Sequence, residues 1–343
     1  MPDPTLLRDT ASTARAARAG RSVALARRPV YAWLLHCADP LGSDRDPPAP
    51  PLTPRQLRRL YRKADALKVL PSVLRHYPIA DGDPALERVR EEADGTRVER
   101  AALSAMLKHH AGAVMEAAKG LPVALVKGPA FAALYPRGLR PFGDIDLLAA
   151  PSALPELASI LAAQGFKCVV GDPNLLEHAW IQRDNGLIMI EVHTDLVHEH
   201  RMRPVLSLTY DHLAPRFDRP AALLSIAVMH GAMHFFAFLR HVTDLCQAAR
   251  AVVTAEEEAL FETFTGRTGT RMSAIIGLTL AHRVLGEARC LELARSLGRP
   301  RDFRFARTLI EGSVLTAPME SWFVYNSWRR FVFRELLLLG SRA

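Results

Sequence analysis

VALVKGPAFAALYPRGLRPFGDIDLLAA, residues 123–150, sets two short apolar runs on either side of a stretch rich in glycine and proline. Val123 to Val126 is too short for a helix and is bounded by Pro122 and by Lys127-Gly128, which predicts a buried strand. Pro129 suits the first turn of a helix over PAFAALY, and RGLRPFG supplies another turn. Asp144 to Ala150 then reads as a second strand. Period two puts Asp144 and Asp146 on one face of it, with Cα atoms about 6.6–7 Å apart. Leu147 and Leu148 make this strand core-facing, and Gly143 allows close approach just before it, so the acidic face opens on a cleft. Two carboxylates in that geometry can hold divalent metal, as half of a two-metal phosphoryl-transfer site. The plain alternative is a pair of solvated charges at a strand edge.

Downstream, Ala153 to Gln164 predicts a helix stopped by Gly165. Phe166 to Val170, His178 to Arg183 and Leu187 to Leu196 are three further strands, the last two joined at Asp184-Asn185-Gly186, a hairpin signal. In LIMIEVHTDL, residues 187–196, Glu191, His193 and Asp195 share one face. Glu191 follows an apolar run, where an unpaired charge is costly unless it meets a cation. Glu191 is therefore the candidate third metal ligand and Asp195 the reserve, with an exposed hairpin charge as the alternative for Glu191. His193 reads as a hydrogen-bonded histidine orienting a carboxylate at least as readily as a catalytic group. The turn Lys127-Gly128-Pro129 can aim backbone donors and an ammonium at an anion such as a triphosphate, although it lacks the frame of a Walker A loop. Arg140, just ahead of Asp144, reads equally as a phosphate-neutralising cation or a surface arginine.

Both flanks read as helical. Pro40 to Pro54 is a proline-rich linker, after which Thr53 caps a helix carrying Leu57, Leu60, Tyr61, Ala64, Leu67 and Leu70, ended or kinked by Pro71. A second helix covers about Ala85 to Lys119, with Leu103, Met106, Leu107, His110, Val114 and Ala117 on one face. From Ala221 a helical period runs through LLSIAVMHGAMHFFAFLRHVTDLCQAARAVV and resumes over Glu256 to Phe264, Met272 to Leu285, Cys290 to Leu297 and Phe303 to Glu311. The expected organisation is a mainly helical region over 1–115 with its linker at 40–54, an α/β core over 116–200 and a helical domain over 201–343. His230 and His234 lack the glutamate of an H-E-x-x-H zinc site and read as histidines packed in the bundle. Asp244 is expected to hold His230, His241 or Arg240 and to fix the helical domain against the sheet. The aromatic tail (Trp322, Phe323, Tyr325, Trp328, Phe331, Phe333) has helical spacing and reads as core packing before base stacking.

The chain has 343 residues, of which 49% are hydrophobic and 23% charged, ordinary for a globular protein and against disorder. No apolar run reaches the roughly 18 residues that span a bilayer. Four scattered cysteines without a C-x-x-C pair argue against a zinc ribbon or disulfide scaffold and fit a reducing cytoplasm. The net charge of +8 favours a polyanionic partner, nucleotide or nucleic acid. It comes largely from scattered arginines (Arg8, Arg15, Arg18, Arg21, Arg27 and Arg28 at one end). Asp3 and Asp9 interrupt that end, which reads as a solvated helix before a targeting segment.

Taken together, strand-KG, Y-P, R-P and D-I-D-L-L in order, then IEVH and H-x13-D in HGAMHFFAFLRHVTDL, resemble the uncharacterised nucleotidyltransferase family of the polymerase-β-like superfamily. The resemblance spans about Leu103 to Val253. It implies an α+β fold with a small mixed sheet between helical N-terminal and C-terminal regions, and transfer of an NMP from an NTP, ATP first among donors. It implies that Asp144, Asp146 and Glu191 bind Mg²⁺, two ions in all, and that Lys127, Gly128 and Arg140 lie along the nucleotide; Gly143 is a further candidate there, and His193, Asp195 and Asp244 are candidates to support the ligands. The acceptor, a hydroxyl or phosphate on a small molecule, peptide or protein, stays open. The wider superfamily has Gly-Ser where this chain has Lys127-Gly128. That departure keeps open a nucleotide- or peptide-binding protein of the same fold with little or no turnover, and the net charge keeps open an RNA-modifying enzyme.

Overall fold

The computed structural model describes residues 29–79, 83–171, 177–184, 186–197, 202, 205–298, 334, 335 and 337. The arginines at positions 8 to 28, Asn185 of the hairpin turn, the helix expected over Phe303 to Glu311 and the aromatic residues from Trp322 to Phe333 lie outside the described residues.

Five strands, β1 (Val123–Val126), β2 (Ile145–Ala149), β3 (Phe166–Val170), β4 (Glu177–Gln182) and β5 (Met189–His193), form one mixed sheet in the order β1-β2-β5-β4-β3. Only β2 and β5 run parallel among these pairs. A parallel pair needs a crossover, and here it consists of the helix Leu154–Ala163 followed by β3 and β4. Every residue of β2 is buried, as expected of a central strand covered on both faces. Ile145, Leu147 and Ala149 pack with Leu107, Ala111, Val114 and Ala118 of the long helix Pro84–Ala117 and its cap, and with Leu157 and Leu161. Leu148, on the other face, joins a second core built from the helical ends of the chain.

The helices, in chain order, are α1 (Pro29–Cys37), α2 (Pro54–Ala66), α3 (Leu70–His76), α4 (Pro84–Ala117), α5 (Gly128–Ala132), α6 (Leu154–Ala163), α7 (Tyr210–Leu213), α8 (Pro220–Met233), α9 (Leu239–Ala251), α10 (Ala255–Arg267), α11 (Arg271–Leu285) and α12 (Ala288–Leu297). Among the described residues none is long and apolar enough to cross a membrane. Thr53 begins α2 with a reciprocal capping box, in which the Thr53 amide donates to Gln56 Oε1 at 2.9 Å and the Gln56 amide to Thr53 Oγ1 at 3.4 Å. Residues from both helical ends share one core, from Leu34 and Leu57 to Leu278 and Leu293. Arg250 of α9 reinforces it by donating to both oxygens of Asp39 at 2.8 and 2.6 Å.

Three details differ from expectation for local reasons. Pro71 does not end α2; the chain breaks at Lys68, whose φ is +64°, and Pro71 sits in the first turn of α3. The buried face of α4 runs through Leu107, Ala111, Val114 and Ala118, whereas Met106 is 43% exposed. Its packing follows the helical period outward from Leu107, which leaves Met106 and Ala117 on the solvent side. The long run from Ala221 is two helices, because Phe235 and Phe236 take positive φ of +54° and +48° between α8 and α9. That turn drives the fully buried Phe236 ring between two glycines. A Cβ on Gly231 would lie 2.4 Å from Phe236 Cε1, and one on Gly277 would lie 2.7 Å from its Cζ.

Helix spacing at this point is therefore set by the absence of two side chains. Gly277→Ala is expected to destabilise the protein by about 1–3 kcal/mol through overpacking, read as a lowered urea midpoint. An unchanged midpoint would show that the ring has room to move.

Candidate functional site

Strand pairing assembles the acidic groups. In the parallel β2–β5 pair Asp146 lies beside Glu191 and Leu148 beside His193, while Val126, at the end of β1, faces Asp146 from the other side. Alternation then projects Asp146, Glu191 and His193 to one face of the sheet, the face that meets the C-terminal helices. Oxygen or nitrogen atoms of these three side chains all lie within 4.8 Å of one another, close enough to hold a metal ion. Asp144 borders the same cavity, whose volume is about 230 Å³.

Lys127 follows β1 directly and enters this cluster. Its Nζ donates to Asp146 Oδ1 at 2.6 Å and lies 3.3 Å from His193 Nε2, which is itself 3.0 Å from Asp146 Oδ1. Burial works against charge on Lys127, but Asp146, with Glu191 and Asp144 beyond it, more than compensates and raises its pKa. Burial also works against ionised Asp146, yet the adjacent Lys127 and His193 hold its carboxyl well below the ordinary range. Asp144 behaves oppositely: burial and the negative Asp146 raise its pKa, only partly offset by Lys127, Arg240 and Arg140. The Lys127 backbone is itself unusual for a side-chain-bearing residue, with φ +53°. Close approach occurs at Gly128, where a Cβ would lie 3.2 Å from Phe142 Cβ and 3.3 Å from the Asp144 carbonyl oxygen.

The other expected site residues are placed differently. Gly143 is exposed and does not line the cavity, and a Cβ there would meet nothing within 4 Å. Asp195 shares a face with Glu191 in the sequence pattern, but β5 ends at His193 and its carboxylate turns to the following loop. There it accepts from the Val197 amide at 2.8 Å, the Leu208 amide at 2.9 Å and the Ser207 hydroxyl at 2.7 Å. It ties down that loop and is not part of the acidic cluster. Arg140 borders the cavity, but its guanidinium fork is held by Asp244, with Nε to Oδ1 at 2.7 Å and Nη2 to Oδ2 at 2.9 Å. Tyr135 also donates to Asp244 Oδ1 at 2.7 Å. Asp244 thus pairs with Arg140 and Tyr135, not with His230, His241 or Arg240, and the bond joins α9 to the loop before β2. His241 and Arg240 stand one helical turn from Asp244 and are its local candidates, whereas Arg140 and Tyr135 are more than a hundred residues away and meet it only once α9 is docked.

The helical wall of the cavity is formed by His230, His234, Phe238, Arg240 and His241, of which the sequence pattern offers His230 and His234 only as packed histidines and Arg240 and His241 only as partners for Asp244. The three imidazoles pack together, with ring centroids 4.8–5.3 Å apart. Burial and the neighbouring histidines push His230 and His241 well below the ordinary histidine pKa, so they stand neutral. The spacing of His230 and His234 was the available signal, but His241 joins them only through the Phe235–Phe236 turn.

The sequence model of the uncharacterised nucleotidyltransferase family matches residues 53–286. Comparison with curated proteins returned no match. Comparison with solved structures also returned none.

The Arg140–Asp244 bond is almost dry, its side chains 4% and 2% exposed. Removing one partner of such a pair strands the other charge. Asp244→Ala is therefore expected to cost about 3–5 kcal/mol of stability, measurable by urea denaturation, and a loss below about 1 kcal/mol, the range of exposed pairs, would contradict the assignment.

Proposed function

The chain belongs to the uncharacterised nucleotidyltransferase family, and on that premise we propose that it transfers an NMP from an NTP, with ATP the first donor to test, to a hydroxyl or phosphate of an acceptor, releasing pyrophosphate. The observation that carries this reading is the pairing of Asp146 beside Glu191 on parallel strands, with Asp144 bordering the same cavity. Carboxylate oxygens are the donors that Mg²⁺ prefers, and the proximity of the Asp146, Glu191 and His193 donor atoms supports the fit of a divalent cation. Asp144, Asp146 and Glu191 would hold the metal, two Mg²⁺ on this reading, and when bound it supplies charge neutralisation at the phosphates and a more acidic acceptor hydroxyl. Lys127 keeps Asp146 ionised and in one orientation. Gly128 keeps the backbone close to the acidic strand. The neutral His230 and His241, with His234 and Phe238, line the cavity opposite the acidic groups. At about 230 Å³ the cavity is smaller than the roughly 300–1,000 Å³ pockets that enclose a drug-sized ligand. It suits one end of a nucleotide, its phosphates.

A second reading is favoured by one contact. The Lys127 ammonium already bonds the Asp146 oxygen that a metal would use, 2.6 Å away. This supports a nucleotide-binding protein of the same fold with slow or no turnover. Calorimetry with NTP, with and without Mg²⁺, alongside a pyrophosphate-release assay, separates the two: binding without release on any acceptor selects the second.

For the transferase, a chelator is expected to abolish pyrophosphate release. Glu191→Gln is expected to lower it by roughly 100-fold or more, the equivalent of several kcal/mol of lost charge stabilisation. The Glu191 side chain is 22% exposed, so the variant should retain its circular-dichroism melting curve. Full Mg²⁺-dependent transfer by Glu191→Gln and by Asp146→Asn would refute the proposed site.

A further inference from the structure

Three cations border the cavity, and two have carboxylate partners: Lys127 on Asp146 and Arg140 on Asp244. Arg240 is different. Its side chain makes no hydrogen bond and no ion pair among the described residues, and its buried Nε has no acceptor. Its backbone is nevertheless well fixed, the amide donating to Leu67 O at 3.2 Å and the carbonyl accepting from Thr243 Oγ1 at 2.9 Å. Burial and the like charge of Arg140 bring the guanidinium down to about 10, in spite of Asp244 and Asp144 nearby. Arg240 is half-buried, and a guanidinium with its Nε shut from water and no counter-ion is incompletely solvated. An arriving anion makes up that shortfall, and a planar guanidinium suits phosphate oxygens in particular.

We infer that Arg240 is the residue that receives the phosphate chain of the bound nucleotide, the role for which Arg140 is disqualified by its bond to Asp244. The inference rests on the nucleotidyltransferase reading for the identity of the ligand, while the anion site itself rests only on the unpartnered guanidinium in the cavity. The carboxylates and any metal they hold meet the phosphates from the sheet side, and Arg240 meets them from α9. Because α9 also carries Asp244, the helix that clamps Arg140 is the one that presents Arg240.

The test compares the full chain with Arg240→Met and Arg240→Lys by calorimetry and thermal melting, with Mg²⁺ present, using ATP, inorganic tripolyphosphate and adenosine as probes. Arg240→Met is expected to weaken ATP and tripolyphosphate by about 10- to 100-fold, the range of lost charge-assisted hydrogen bonds. Arg240→Lys, which keeps the charge and loses the fork, is expected to fall between Met and wild type, with adenosine affinity the same in all three. Without ligand, Arg240→Met should melt at the same temperature as wild type or higher, because an uncompensated charge has gone; an arginine serving only the fold would give a lower melting temperature. Wild-type affinity for ATP and tripolyphosphate in Arg240→Met overturns the inference and leaves the nucleotidyltransferase reading standing. Arg240-dependent binding of tripolyphosphate in a chain that neither binds nor turns over any NTP sustains the anion site and defeats the nucleotidyltransferase reading. A wild-type chain that binds none of the phosphorylated probes overturns both.

Discussion

Two carboxylates placed side by side on adjacent parallel strands repel each other, the more so where one of them, Asp146, is buried. The Lys127 ammonium makes the arrangement tolerable. It bonds Asp146, borders His193, and is within the field of Glu191 and Asp144. The acidic face can therefore be ionised before any ligand arrives. The sheet order serves the same end: β1 delivers Lys127 from one side of β2, and β5 delivers Glu191 and His193 from the other.

The opposite wall divides its charges by function. Arg140, Asp244 and Tyr135 form a buried knot between the loop before β2 and α9, and this knot consumes the cation that stands nearest to the acidic strand in sequence. Arg240 is left unsatisfied on the same helix. The Phe235–Phe236 turn brings this wall to the sheet, since it ends α8 and aims both α9 and the histidines at the cavity. Packing of one aromatic ring against Gly231 and Gly277 thus bears on where Arg240, four residues on at the start of α9, is presented.

How much of this was legible in the sequence depended on whether the signal was local. VALV between turn residues, the alternation in DIDLL and the hairpin before LIMIEVH are period-two patterns bounded by breakers, and the strands formed there. Glu191 could be chosen because a charge after an apolar run needs a partner wherever the chain goes. Asp195 obeyed the same alternation, but strand β5 stopped short of it, and strand ends are set by tertiary pairing rather than by pattern. Arg140 and Asp244 are far apart in the chain, and no periodicity reports which arginine a buried aspartate will meet. Arg240 and His241 read as partners for Asp244, not as cavity residues, because the bend that turns them inward consists of two phenylalanines in a backbone region that phenylalanine rarely adopts.

The φ of +53° at Lys127 puts two requirements on a single position. The main chain there is one that glycine adopts freely and lysine only under strain, roughly 1–3 kcal/mol for such conformations. The cavity needs a positive charge from the same residue. A change that relaxed the backbone would remove the counter-ion of Asp146, and one that kept the charge would keep the strain. Selection for foldability and selection for the buried electrostatics therefore act on this codon in opposite directions, so the sturdiest variant of the turn would be a poor host for the acidic pair.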